Sequence, residues 1–214
     1  SNHVPLLVRW PGGVKAPGRV VEDFVDFTDL APTLLDYAGV DPAKAGMKPV
    51  AGRSLRPILE ADRGGRVVAS RDHVLVGKER TDVGRPHDWG YPIRGIADAD
   101  FLYLRNYEPS RWPAGNPETG YLDVDGGPTK SLILARGRKD RSDSFWRLSF
   151  GMLPADELYD LRADPDCTRN LAAEPSQVDR VRSMRERMEA ELRAQGDPRM
   201  FGRGRVFDEY KATN

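Results

Sequence analysis

Near the C-terminal end of the chain, Val178, Val181, Met184, Met188 and Leu192 recur at intervals of three, three, four and four residues. An α-helix turns about once every 3.6 residues, so these five side chains share a single apolar stripe. Ser176 and Asp179 have the spacing of a capping box, and Gly196 supplies a stop. The segment therefore predicts a long helix that must bury one face on a neighbouring layer, and a small antiparallel sheet is the expected layer.

The sheet is legible upstream. Tyr91–Ile96 and Phe101–Arg105 are β-rich runs flanking Asp98-Ala99-Asp100, which reads as a hairpin. His73–Gly77 and Glu157–Leu161 read as two further strands. Residues 107–130 are rich in aromatic residues, Pro and Gly, and are longer than a connector needs to be.

The first third has a different texture. Val4–Trp10 is apolar on both faces and closed by Pro11-Gly12-Gly13, which predicts a buried strand. Phe24–Phe27 predicts a second. A helix follows, with Thr28 as N-cap, Gly39 just beyond its end, and Ala31, Leu34, Leu35 and Ala38 on one face. Ser54 caps a short helix carrying Leu55, Ile58 and Leu59. Arg63-Gly64-Gly65-Arg66 then breaks the pattern, which places a boundary between 60 and 66.

Composition excludes some partners. Lys and Arg together number 33, as do Asp and Glu. The chain thus lacks the cationic surplus of a nucleic-acid footprint or a membrane-binding surface. No apolar run approaches the roughly 18–20 residues of a membrane span. The single cysteine, Cys167, excludes an internal disulfide and leaves the compartment open.

Candidate chemistry is sparse. Cys167 lies between carboxylates, in Asp164-Pro165-Asp166-Cys167, which would raise its thiol pKa; a turn role is expected. His3, His73 and His87 form no zinc spacing. There is no G-x-S-x-G elbow, Walker loop or dinucleotide fingerprint. What remains is an anion-suited stretch, Lys78–Arg85, mixing Arg80 and Arg85 with Glu79 and Asp82. Arginine forks match sulfate or carboxylate bidentately. Trp89, Tyr91, Tyr107, Trp112 and Tyr121 could stack on sugar rings or pack beneath a loop.

Four stretches in order resemble sulfatases: Val4–Gly12, Asp26–Asp36, Gly52-Arg53-Ser54-Leu55, and Glu157–Leu161 with Asp164-Pro165 and Asn170-Leu171-Ala172. Three more, Gly90-Tyr91-Pro92-Ile93-Arg94, Arg111–Gly115 and Gly196-Asp197-Pro198-Arg199, are similar to heparan N-sulfatase (sulfamidase) members of that family. The resemblance implies an α/β, alkaline-phosphatase-like fold. Residues 1–62 would be the end of its large domain. Residues 63–214 would be a small α+β subdomain with an antiparallel sheet and a C-terminal helix.

It further implies hydrolysis of sulfate ester or sulfamate groups on a sulfated sugar or glycosaminoglycan. In the family this runs on a formylglycine and a calcium ion. Neither the nucleophile motif nor the metal pair is present here, so both are expected in the N-terminal catalytic part of a full-length parent. No catalytic or metal residue is carried over, and the isolated chain is expected to be inactive, with apolar surface at Val4–Val8 and Leu34–Leu35. Glu79, Arg80, Asp82 and Arg85, with His87, are the implied substrate contacts. The alternatives are a phosphoester or phosphonate hydrolase of the same superfamily, or a non-catalytic carbohydrate-binding module.

Overall fold

The computed structural model describes residues 3–80, 85–119 and 124–210. The chain divides into two compact units, Ser1–Val74 and Leu75–Asn214.

In the first unit the Asp26–Asp36 and Gly52–Leu55 stretches interlock. Asp26 caps a 3₁₀ turn, Phe27–Asp29, by accepting from Thr28 N at 2.7 Å, while the Asp29 carboxylate accepts from Asp26 N at 3.1 Å. Helix α1, Leu30–Tyr37, follows, and Gly39 adopts φ +68° just beyond it. The Asp29 carboxylate also accepts from Arg53 N at 2.6 Å and pairs with Arg71 at 2.6 Å. Thr33 Oγ1 donates to Asp29 O (2.6 Å) and accepts from Leu55 N (2.8 Å). A Cβ on Gly52 would meet Thr28 O at 2.0 Å, so only glycine allows this approach. Ser54 Oγ accepts from Arg56 N, opening α2, Arg56–Leu59, whose Ile58 and Leu59 form a small core with Leu55.

Residues 63–74 lie with this unit. Asp23 accepts from Val67 N and Val68 N at 2.7 and 2.5 Å, and Arg71 sits among Phe24, Asp29, Arg53 and Ser54.

Several expectations for this unit are corrected. Val4–Trp10 and Phe24–Phe27 are not strands. A strand apolar on both faces needs neighbours to take its backbone groups, and none of the described residues offers residues 4–10 a ladder. Trp10 O instead closes a turn with Gly13 N and Val14 N. At Phe27 the Asp26 cap bends the chain into the 3₁₀ turn and takes the role expected of Thr28. The residue that α1 buries is Thr33 rather than its apolar face, whereas the exposure of Leu34 (72%) and Leu7 (94%) is the apolar surface expected there.

The second unit is built on a four-stranded sheet of order β1-β2-β3-β4: β1 Val74–Lys78, β2 Ile93–Ala97, β3 Phe101–Asn106 and β4 Asp156–Asp160. β2/β3 and β3/β4 pair antiparallel, placing Ile96, Tyr103 and Leu158 in one row. Asp98 closes the β2–β3 turn by accepting from Asp100 N and Phe101 N. Between β3 and β4 lie helices α3, Pro128–Lys139, and α4, Ser144–Phe150. After β4 come α5, Val178–Ala194, and the short α6, Val206–Glu209.

Helix α5 lays its stripe on β2 and β3. Val181, Met184, Met188 and Leu192 close over Ile96, Tyr103 and Leu158. Val178 stands outside this core, 54% exposed at the first helical position. The capping box at Ser176 does not form, because Ser176 belongs to a 3₁₀ turn, Pro175–Gln177, that precedes the helix. Asn170 Oδ1 accepts from Leu158 N and Ala172 N, tying the segment before α5 to β4.

Helices α3 and α4 had no counterpart in the sequence reading. They share a separate small core of Leu134, Trp146 and Phe150. Gly137 lies against the Trp146 ring, where a Cβ would come within 1.9 Å. With Leu134 and Gly137 the only buried positions of α3, no apolar stripe announces it.

Glu157 on β4 is buried and accepts from Tyr159 Oη at 2.5 Å. Burial pushes its carboxyl above the usual range, against the tyrosine hydrogen bond. A carboxyl raised on folding stabilises the fold while protonated, and that contribution is lost as pH rises through the folded pKa. Glu157→Gln is therefore expected to raise the melting temperature at pH 7 and to flatten its decline between pH 4 and pH 7, measured by thermal unfolding across that range.

Candidate functional site

One end of the sheet gathers the loops. Strand β1 ends there at Lys78, β2 starts at Ile93, β3 ends at Asn106 and β4 starts at Asp156. Tyr91 N donates to Glu79 O at 2.7 Å, which brings the residues before β2 back to the end of β1. Asn106 Nδ2 donates to Tyr91 Oη at 2.7 Å, and both side chains are fully buried. This fixes where the loop leaves the sheet.

Glu79 is the first hub. Its carboxylate pairs with Arg94 at 2.5 Å, and takes two bonds from Arg199, at 2.8 and 2.6 Å. Arg94 Nε also donates to Asp197 at 2.6 Å. Burial disfavours the Arg94 charge, but Asp197 and Glu79 outweigh it and hold its pKa above the ordinary value. The Phe207 ring has both guanidiniums within cation–π range, Arg94 at 5.8 Å and Arg199 at 5.4 Å.

Asp208 is the second hub. Arg111 donates to it twice, at 3.0 and 2.8 Å, and Gly90 N donates at 3.1 Å. Burial works against the Asp208 charge, yet the Arg111 and Gly90 bonds depress its pKa below 3.8. Removing that carboxylate costs about 1.5–3 kcal/mol, the usual range for a hydrogen bond to a charged group.

The two hubs join the stretches Gly90–Arg94, Arg111–Gly115 and Gly196–Arg199 at one place. The expected contact residues sit within this frame as follows. Glu79 is spent on Arg94 and Arg199. Arg80 donates to the carbonyls of Tyr210 (3.0 Å) and Phe207 (3.4 Å). Arg85 is buried, donates to the carbonyls of Trp112 (2.9 Å) and Pro113 (2.5 Å), and lies 5.7 Å from the Tyr91 ring centroid. His87 is exposed. Asp82 lies outside the described residues, as does Tyr121.

The surface of the loop is its tip. His87 and Asp88 both hold left-handed backbone, φ +60° and +55°, an uncommon conformation for residues other than glycine. The His87 ring is 4.9 Å from Trp89, which is 40% exposed, and the Arg111 guanidinium is 4.9 Å from the Trp89 centroid. An exposed imidazole and an exposed indole thus stand together, with the Asp208-bound Arg111 guanidinium against the indole, a pair suited to stacking on a sugar ring.

Nothing in this arrangement is a nucleophile with its base. Cys167 occupies a left-handed turn position, with φ +53°, where burial and then Asp164 and Asp166 push its thiol up. His73 Nδ1 lies 2.8 Å from Asp72, with the ring nearly buried. Among the described residues, no three His, Cys, Asp or Glu side chains converge as metal ligands. The frame residues Arg94, Arg111, Asp197 and Arg199 were visible in the sequence only as parts of motifs. Asp208 had no signal at all, since nothing in the residues around it forecasts a partner nearly a hundred positions away.

Residues 1–72 match the family model described as N-sulphoglucosamine sulphohydrolase, C-terminal. An ulvan-active sulfatase of Formosa agariphila is 28% identical over 196 residues, covering 91% of this chain and 34% of that protein. The human N-sulphoglucosamine sulphohydrolase is 29% identical over 198 residues, covering 86% and 35%. The chain is similar to these sulfatases over most of its length, and to the C-terminal family model over its first 72 residues. It spans about a third of the length of these relatives. The fold is shared with a protein solved in complex with its substrate D-glucosamine-2-N,6-O-disulfate. That match has a TM-score of 0.54 at 21% identity and covers 95% of this chain and 29% of that one. The second unit carries the small sheet and the long helix near the C-terminal end that the motifs implied. No helix among the described residues is long and apolar enough to cross a membrane.

Proposed function

We propose that the full-length protein carrying this chain hydrolyses sulfate ester or sulfamate groups on a sulfated sugar of the glycosaminoglycan kind, and that this chain forms one wall of the substrate site. The observation that carries the reading is the meeting of the three sulfamidase-like stretches around Glu79 and Asp208. They are far apart in sequence, and the hubs bring them together behind one exposed loop tip. The relatives' sulfatase descriptions and the substrate of the solved structure support the reaction class.

In this reading the first unit is the end of the large sulfatase domain and the second is the small subdomain. Exposed Leu6, Leu7 and Val8, with Leu34, support burial of the first unit's apolar surface by a preceding catalytic part. Formylglycine and calcium belong to that part, where they would supply the nucleophile and polarise the sulfuryl oxygens. The described residues of this chain do not fit a calcium site. Their task is to bind and orient.

The loop divides that task. Arg80 and Arg85 brace the loop through backbone carbonyls, and Glu79 anchors it to β2 and to the segment after α5. His87 faces the sugar, and Trp89 joins it. The test is substrate turnover by the full-length protein carrying His87→Ala or Trp89→Ala. The reading expects KM to rise with kcat little changed, since remote sugar contacts act mainly through binding. Unchanged KM in both variants would remove this loop from the substrate wall.

A further inference from the structure

The residues after α5 are joined to the loop at every level. Asp197 holds Arg94, Arg199 holds Glu79, the carbonyls of Phe207 and Tyr210 hold Arg80, and Asp208 holds both Arg111 and Gly90 N. This segment reaches both Glu79 and Gly90 by side-chain bonds, through Arg199 and Asp208. The left-handed residues His87 and Asp88 lie between the two attachment points. Such a backbone persists only when its surroundings over-determine it. The Arg85 bonds to Trp112 O and Pro113 O fix the entry to the tip, and the Gly90–Asp208 bond fixes its exit.

We infer that segment 197–210 is the positioning element of the site: through Asp208 and Arg111 it sets the conformation in which His87 and Trp89 meet the substrate. Asp208 and Arg111 are positioning residues, since the groups facing the sugar are others. Arg111 acts twice, bonding Asp208 with its fork and lying against Trp89 with its face. Losing Asp208 removes the acceptor of the Gly90 amide, and losing the Arg111 fork frees the Asp208 carboxylate, the Gly90 carbonyl and the Trp89 indole together.

This inference rests on the reading that the loop tip faces substrate, so the experiment has two readouts. Amide hydrogen exchange in the full-length protein reads the frame without any substrate. Steady-state hydrolysis of D-glucosamine-2-N,6-O-disulfate reads its use. In Asp208→Asn, exchange at Gly90 is expected to speed up about tenfold or more, the equivalent of one lost charge-assisted bond, while β3 and α5 stay protected. KM is expected to rise about tenfold with kcat within about threefold. Arg111→Lys, which keeps the charge and loses the fork, should give the same pattern, and it carries the test if Asp208→Asn fails to fold.

Gly90 protection unchanged in the folded variants overturns the inference. So does lost protection with unchanged KM, which would make the segment a structural staple only. A wild-type protein that releases no sulfate overturns instead the proposed reaction, and is told apart because the exchange result is read independently.

Discussion

Replacing Arg71 with alanine is expected to unfold the first unit more readily by about 3–5 kcal/mol, the cost of leaving one partner of a buried ion pair alone. The Arg71 and Asp29 side chains are only 3% and 6% exposed, and their bond is 2.6 Å. Arg71 also donates to the carbonyls of Arg53 and Ser54 at 2.8 and 3.0 Å. Its removal therefore leaves the Asp29 charge with only the Asp26 and Arg53 amides, and strands two carbonyls, in a water-poor site. Arg71→Lys would restore charge but not the fork, and should recover only part of the loss. Denaturant unfolding of both variants checks the ordering, with Arg71→Ala lower than Arg71→Lys and both below the wild type. An Arg71→Ala protein as stable as the wild type would show that Asp29 finds its compensation elsewhere.

Met188→Ala is expected to cost about 2–5 kcal/mol, the range for truncating a large core side chain and leaving a cavity. Met188 is wholly buried, in the middle of the α5 stripe, among Ile96, Tyr103 and Leu158. Val178→Ala, on the same stripe in sequence but exposed in the fold, should cost less than about 0.5 kcal/mol. The contrast between them, read from thermal unfolding, tests whether α5 begins its burial at Val181. Equal costs would place Val178 in the core after all.

These contrasts mark what the sequence could convey. The α5 stripe and the β2–β3 hairpin were legible because their periodicity is local and their burial follows from it. Val4–Trp10 was misread because its apolar pattern describes what the segment could pair with, and pairing depends on strands that these residues do not supply. α3 and α4 were missed because they bury a glycine and a tryptophan against each other, a fit between two helices that neither helix shows alone. Asp26 displaced Thr28 as cap because the chain enters by a 3₁₀ turn, one residue choice that periodicity does not register.

The candidate site was legible in a particular way. Its motifs were found, and their roles were not. Gly52, Arg53, Asp29 and Asn170 proved to be fasteners of backbone groups. Glu79, Arg80 and Arg85 were singled out for their charge, and the fold directs that charge largely at other parts of the protein. Such partners lie up to 130 positions away, so the difference between a bracing arginine and a substrate arginine is invisible until the loops are closed. His87 and Trp89 stand at the surface, whereas Arg85 is buried.

Acid should act on this frame in a defined direction. Asp208 has a depressed pKa, so its contribution is complete above the ordinary carboxylate value of 3.8 and is lost as pH falls below it. The loop frame is thus expected to hold through the neutral and mildly acidic range.

The reaction class itself is decided by what the full-length protein releases. Incubated with D-glucosamine-2-N,6-O-disulfate, it is expected to liberate inorganic sulfate catalytically, and to do so far faster than it releases phosphate or phosphonate from aryl monoesters at equal concentration. Preferential cleavage of the phosphorus esters would assign the protein to another branch of the superfamily. Sugar binding with no release of either anion would make it a carbohydrate-binding protein and contradict the proposed hydrolysis.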